Sequence, residues 1–153
     1  MEERKMKQEY EIVIVEDNPD DAELMIRSLK KHQLSNKLIL LEDGEQALDY
    51  IFCRGKYEDR DSTGSNMVIF LDLKLPKVHG LEVLKQVKSN EKTRKIPVII
   101  VTSSKEDPDI AAAYDFGANS YVVKPVNYES FVETINHLGL YWLVVNETPN
   151  NGI

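Results

Sequence analysis

Three acids, a hydroxyl and an ammonium stand at the ends of short apolar runs in this chain. Glu16 and Asp17 follow the run at 11–15, Asp72 follows 68–71, Thr102 follows 96–101 and Lys124 follows 120–123. Three carboxylates brought together repel one another and raise their own pKa values unless a cation intervenes. A few carboxylates with room for water are what Mg²⁺ prefers. A hydroxyl and an ammonium on the far side would then hold oxygens of a tetrahedral anion beside Asp72. Such a set suits phosphoryl transfer, in which positioning and charge neutralisation do nearly all the work.

The elements that must position these residues follow from the apolar pattern. The run at 68–71 is short, continuous and partly β-branched, as expected of a strand buried on both faces of a parallel sheet. Similar runs at 11–15, 37–41, 96–101 and 120–123 predict four more strands. Between them lie helical patterns. Asn18-Pro19-Asp20-Asp21 combines a cap, a first-turn proline and acids suited to the positive helix end. Asp43-Gly44 opens a second helix through Ala47, Leu48 and Ile51, and Leu81, Leu84 and Val87 mark a third. Asp107-Pro108 starts a fourth helix that Gly117 closes, and Asn127 caps a last one through Phe131, Ile135 and Leu138. Pro97 belongs at the start of its strand, because proline cannot donate within a ladder. The polar stretch from Arg54 to Asn66 reads as a surface loop with little structure of its own.

Strand and helix alternate five times. This predicts an α/β domain of the flavodoxin-like, doubly wound (βα)5 type, a three-layer sandwich whose parallel sheet has the order 2-1-3-4-5. The carboxyl ends of all five strands then share one edge, where ligands bind in such sheets.

Composition narrows the function classes. With 26 Asp and Glu against 19 Lys and Arg, the formal charge is -7, which gives no general attraction to nucleic acid or anionic lipid. The single cysteine, Cys53, excludes an internal disulfide and a thiol-built zinc site. No apolar run approaches the roughly 20 residues of a membrane span, and the charged residues 1–9 lack the apolar centre of a signal peptide. The expected compartment is the cytoplasm. His32 and His137 have no ligand spacing, and His79 reads as loop variation.

The Glu16-Asp17 pair, Asp72 with Leu75-Pro76 and Gly80 behind it, Thr102-Ser103, and Lys124-Pro125 together resemble the receiver domain of two-component response regulators. The resemblance runs from Ile12 to Leu143. Within that family the chain is most similar to the stand-alone regulators that partner phytochrome-type histidine kinases. That narrower likeness rests on Glu16-Asp17-Asn18-Pro19-Asp20-Asp21, the polar loop after Arg54-Gly55-Lys56-Tyr57, and Tyr141-Trp142-Leu143.

The resemblance implies roles. Asp72 accepts a phosphoryl group from a histidine kinase. Asp17 and Asp72 bind Mg²⁺ directly, Glu16 acts through water, and the carbonyl of Lys74 is a further ligand. Thr102 and Lys124 hold phosphoryl oxygens, Tyr121 is the aromatic that turns inward with Thr102, and the Lys124-Pro125 bond is cis. The chain is then a phosphoacceptor signalling protein rather than an enzyme acting on free substrates. Expected partners are the kinase, a downstream protein target and a second copy of the chain. The second copy would meet it through the fourth helix, fifth strand and last helix, whose apolar residues from Phe131 to Val145 exceed one buried stripe.

The expected organisation is a lead at 1–9, a receiver domain at 10–145 containing the loop at 54–66, and a tail at 146–153, with no output domain. At one of the two variable positions beside the site, Lys74 departs from the family's common residues. Lys74 reads either as a partner for the phosphoryl group or Glu16, or as a solvated chain passing the site. Ser104 occupies the second variable position. The rival readings are a phosphorylation-independent interaction module and a metal-dependent phosphohydrolase. The second would place an acid two residues after Asp72, where this chain has Lys74.

Overall fold

The computed structural model describes residues 10–31, 37–61 and 66–125, together with Glu129 and Glu133. The element order is β1 (Tyr10–Val15), α1 (Pro19–Lys31), β2 (Lys37–Leu41), α2 (Gly44–Ile51), a 3-10 helix (Gly55–Tyr57), β3 (Asn66–Leu71), α3 (Gly80–Ser89), β4 (Val98–Thr102), α4 (Asp107–Asp115) and β5 (Ser120–Val123). The five strands form one parallel sheet in the order β2-β1-β3-β4-β5. The expected fold class is therefore the observed one. Of the expected last helix only Glu129 and Glu133 are described, and Asn127, Phe131, Ile135, Leu138 and the apolar residues to Val145 lie outside the described residues.

Alternation along the central strands divides the core. Val13, Val15, Ile69, Leu71, Val98 and Ile100 pack with Ala47, Leu48 and Ile51 of α2, Val83, Leu84 and Val87 of α3, and Ala113 of α4. Ile12, Ile14, Val68, Phe70, Ile99 and Val101 face the other way, onto Met25 and Leu29 of α1. Period-two side chains on a sheet covered on both faces demand this arrangement. It explains why these strands read as unbroken apolar runs.

The caps follow the sequence signals closely. Asn18 Oδ1 accepts from the N–H groups of Asp20 and Asp21, and Asp43 Oδ1 accepts from that of Gln46. His79 corrects its reading as loop variation: its Nδ1 accepts from the Leu81 N–H and caps α3.

The stretch after Arg54 also departs from expectation. It forms a 3-10 helix and is tied down by Arg60, whose Nε donates to the Tyr50 carbonyl at 2.8 Å. The Arg60 guanidinium lies over the Tyr50 ring, and the Tyr50 hydroxyl donates to Glu11 at 2.9 Å. Glu11 also meets Lys37 at 3.4 Å and Arg60 at 3.8 Å. A polar composition suggested a free loop. Arg60, the Tyr57 ring set edge-on to Tyr50 and the Arg54 N–H donating to the Asp49 carbonyl tie its described residues to α2.

Two glycines hold the segment after β3 in place. A Cβ at Gly80 would fall 2.2 Å from the carbonyl oxygen of Asp72, and one at Gly44 would fall 2.0 Å from that of Val78. The Gly80 N–H donates to Leu73 and the Gly44 N–H to Pro76. Gly80 thus packs directly against the backbone of Asp72, and Gly44 against Val78 further along the same segment.

Candidate functional site

The sheet register delivers the site. Val15 pairs with both Leu41 and Leu71, and Thr102 pairs with Val123. The residues just past these pairs still donate to the neighbouring strand: Glu16 to Leu41, Asp72 to Val15 and Lys124 to Thr102. Glu16, Asp72 and Lys124 are thereby held on the last rungs of the ladder, with little freedom to move apart. The Lys124-Pro125 bond is cis, as expected.

Lys124 is the electrostatic centre. Its Nζ lies 2.7 Å from Glu16 Oε1, 2.9 Å from Asp21 Oδ2 and 3.0 Å from Asp72 Oδ2. Burial alone would lower its pKa, but the three carboxylates outweigh that and hold the ammonium above its ordinary range. Glu16 goes the other way for a carboxylate. Burial, reinforced by the Asp72 charge, pushes it up to about 7, although Lys124 and the Asn18 N–H both favour its charged form.

Glu16, Asp17 and Asp72 each offer a carboxylate oxygen, and these oxygens lie within 4.8 Å of one another. Glu16 and Asp72 are buried and Asp17 is exposed, so the cluster opens to solvent on one side. An all-oxygen set of this kind fits a hard divalent cation. The Lys74 N–H lies 3.3 Å from Asp72 Oδ1. The Lys74 side chain is exposed, and Glu16 has Lys124 as its ion-pair partner.

Thr102 is fully buried, and its Oγ1 accepts from the Ser104 N–H at 3.4 Å. The Tyr121 hydroxyl donates to the Ser104 carbonyl at 3.1 Å, and burial raises the pKa of that hydroxyl. Ser104 itself is turned to structural use. Its hydroxyl bonds Asp109 at 2.5 Å and accepts from the Glu106 N–H at 3.2 Å, closing the first turn of α4.

Glu16, Asp17, Asp72 and Lys124 are thus brought together as the spacing predicted, with Thr102 and Tyr121 on the adjoining strands. Sequence reasoning missed Asp21. Its place suits the positive end of α1, and from that first turn its carboxylate also reaches Lys124. The available signal was position: Asp21 stands four residues after Asp17, on the turn that leaves the site.

A parallel sheet of this order, with an acid-and-lysine cluster at its carboxyl edge, defines a class, and comparison with known proteins agrees. Residues 12–136 match the response regulator receiver domain family, and the chain belongs to it. Among curated proteins it is 37% identical over 138 residues to the probable methanogenesis regulatory protein FilR2 of Methanothrix harundinacea, covering 90% of this chain and 86% of the relative. It is 34% identical to response regulator Rcp1 of Synechocystis sp., covering 90% and 92%. Among solved structures, the bacteriophytochrome response regulator RtBRR superposes with a TM-score of 0.81 at 47% identity, covering 94% of this chain and 86% of that one. The Mn(2+)-bound form of Rcp1 superposes at 0.73 with 32% identity, covering 92% and 99%. The chain is a two-component receiver related to the phytochrome response regulators. Among the described residues no helix is long and apolar enough to cross a membrane.

Proposed function

We propose that this chain is a phosphoacceptor of a two-component relay, with Asp72 as the acceptor. The observation that carries the reading is the placement of Asp72 between Lys124, 3.0 Å away, and the acids Glu16 and Asp17. An Asp72 carboxylate oxygen attacks the phosphorus of a kinase phosphohistidine. The P–O bond forms as the P–N bond breaks, and that electron pair returns to the imidazole nitrogen, leaving an acyl phosphate.

Lys124 neutralises charge on the transferring group, and Thr102 hydrogen-bonds one of its oxygens once drawn toward it. Asp17, Asp72, the Lys74 carbonyl and, less directly, Glu16 would hold Mg²⁺. When bound, it supplies the charge neutralisation that lets a dianionic group approach an acidic pocket. Modification of Asp72 adds charge and acceptor oxygens. Thr102 and Tyr121, on paired strands, carry that change toward the α4–β5 face.

The likeness to bacteriophytochrome and cyanobacterial phytochrome regulators supports a phytochrome-type histidine kinase as the donor. Output passes through protein contacts, with a downstream target and a second copy of the chain as partners. On this reading the chain works in the cytoplasm, where the ATP that charges such kinases is held.

The test is incorporation of phosphate from a small-molecule phosphodonor, with Mg²⁺ and with chelator, in wild type and Asp72→Asn. Mg²⁺-dependent label that disappears in the variant is expected. A folded wild type that takes up no label would overturn the reading in favour of a phosphorylation-independent interaction module. Steady turnover of free phosphate esters would favour a phosphohydrolase.

A further inference from the structure

A lysine ammonium has three N–H donors and no more. Lys124 Nζ lies close to three carboxylates, Glu16 at 2.7 Å, Asp21 at 2.9 Å and Asp72 at 3.0 Å, and donates to Asp21 and Asp72. A phosphoryl oxygen arriving beside Asp72 must compete with these carboxylates for Lys124. We infer that Asp21 competes with the transferring phosphoryl group for Lys124, and that it is a positioning residue setting how readily the ammonium turns to that group. The inference rests on the phosphoacceptor reading above.

The choice among the three acids follows from burial. The Glu16 side chain is 2% exposed, and its polar partners among the described residues are Lys124 and the Asn18 N–H. Removing Lys124 would strand a buried carboxylate, a costly outcome. Asp72 is 8% exposed and carries the phosphoryl group itself, so its contact with Lys124 is the one the reaction converts. Asp21 is different: its side chain is 40% exposed, so water can replace the ammonium as the bond opens. Its location adds to the effect. Asp21 stands on α1 rather than at a strand end, so its pull on Lys124 is directed at the helix and competes with the phosphoryl oxygens. The contact resembles a spring catch, easily opened yet biased toward closed.

The strength of that bias is bounded. A partly exposed ion pair shifts an equilibrium by about two- to fivefold, and that is the expected gain when the catch is removed. Asp20 supplies the control. It is exposed, lies in the same turn, carries the same charge and is not a partner of Lys124.

The experiment is the initial rate of phosphate incorporation from phosphoramidate at saturating Mg²⁺, measured for wild type, Asp21→Asn, Asp21→Glu and Asp20→Asn. Asp21→Asn is expected to accelerate labelling about two- to fivefold. Asp21→Glu, which keeps a carboxylate within reach of Lys124, should keep the wild-type rate, and Asp20→Asn should change it little. An unchanged or slower Asp21→Asn would overturn the inference, as would an equal gain in Asp21→Glu or Asp20→Asn, the latter pointing to net charge alone. Absence of label from wild type would overturn the phosphoacceptor reading and this inference with it, so the two failures are distinguishable.

Discussion

Lys124 and Glu16 form the shortest ion pair of the site, 2.7 Å between Nζ and Oε1, with 13% of the lysine side chain and 2% of the glutamate side chain exposed. The pair joins the ends of β1 and β5, which are not neighbours in the sheet. It closes the carboxyl edge across β3 and β4, and so has a structural role besides its chemical one.

Replacing Lys124 by Met should therefore destabilise the fold. A buried carboxylate robbed of its cation costs about 3 kcal/mol, read as a lower urea midpoint at pH 8. At pH 5.5 Glu16 takes up a proton, and the loss should be smaller. Equal losses at the two pH values would show that Glu16 is not the group left stranded.

Glu16 also predicts a pH dependence in wild type. Its folded pKa of about 7 lies above the ordinary 4.5, so the folded state holds this proton more tightly than the unfolded one. The resulting stabilisation is complete below pH 4.5 and is lost as pH rises through 7. With chelator present, wild type should lose on the order of 3 kcal/mol relative to Glu16→Gln across that window. Parallel stability curves for the two proteins would contradict the assignment.

Gly80→Ala should cost about 2–3 kcal/mol, because the added methyl meets the Asp72 carbonyl and the Leu73 Cα rather than a flexible side chain. Thermal melts measure the loss. The same variant should label poorly, since the clash falls on the backbone of Asp72.

Arg60→Ala should separate stability from signalling. It removes the bond to the Tyr50 carbonyl and one of the two cations beside the buried Glu11–Tyr50 pair, leaving Lys37, at a cost of about 1–3 kcal/mol. Limited proteolysis should become faster within residues 54–61. Phosphate incorporation should not change, because these contacts lie at the amino end of β1, away from Asp72.

Much of this was legible in the chain itself. The strands stood out because a sheet covered on both faces needs unbroken apolar runs, and 68–71 or 98–101 have no other reading. The site stood out because Asp72, Thr102 and Lys124 each end such a run. Contacts that a side chain chooses in three dimensions were not legible. Asp21 looked like any acid at a helix start, and nothing local says that it meets a lysine 103 positions away. Ser104 looked like a site residue, but Asp109, five positions on, takes its hydroxyl. Arg60 sat in a polar stretch whose composition says nothing about a buried glutamate at position 11.

The glycine contacts beneath Asp72 bear on how this domain can be re-engineered. Gly44 and Gly80 hold the segment between β3 and α3 to its neighbours mainly through backbone contacts, so its length and path depend little on the side chains it carries. Residue swaps at Lys74, Lys77 or Val78 should therefore be readable as changes of chemistry on a constant frame. An insertion there would instead unseat two helices at once. Segments to be spliced in, such as a reporter domain, belong on the far side of the sheet.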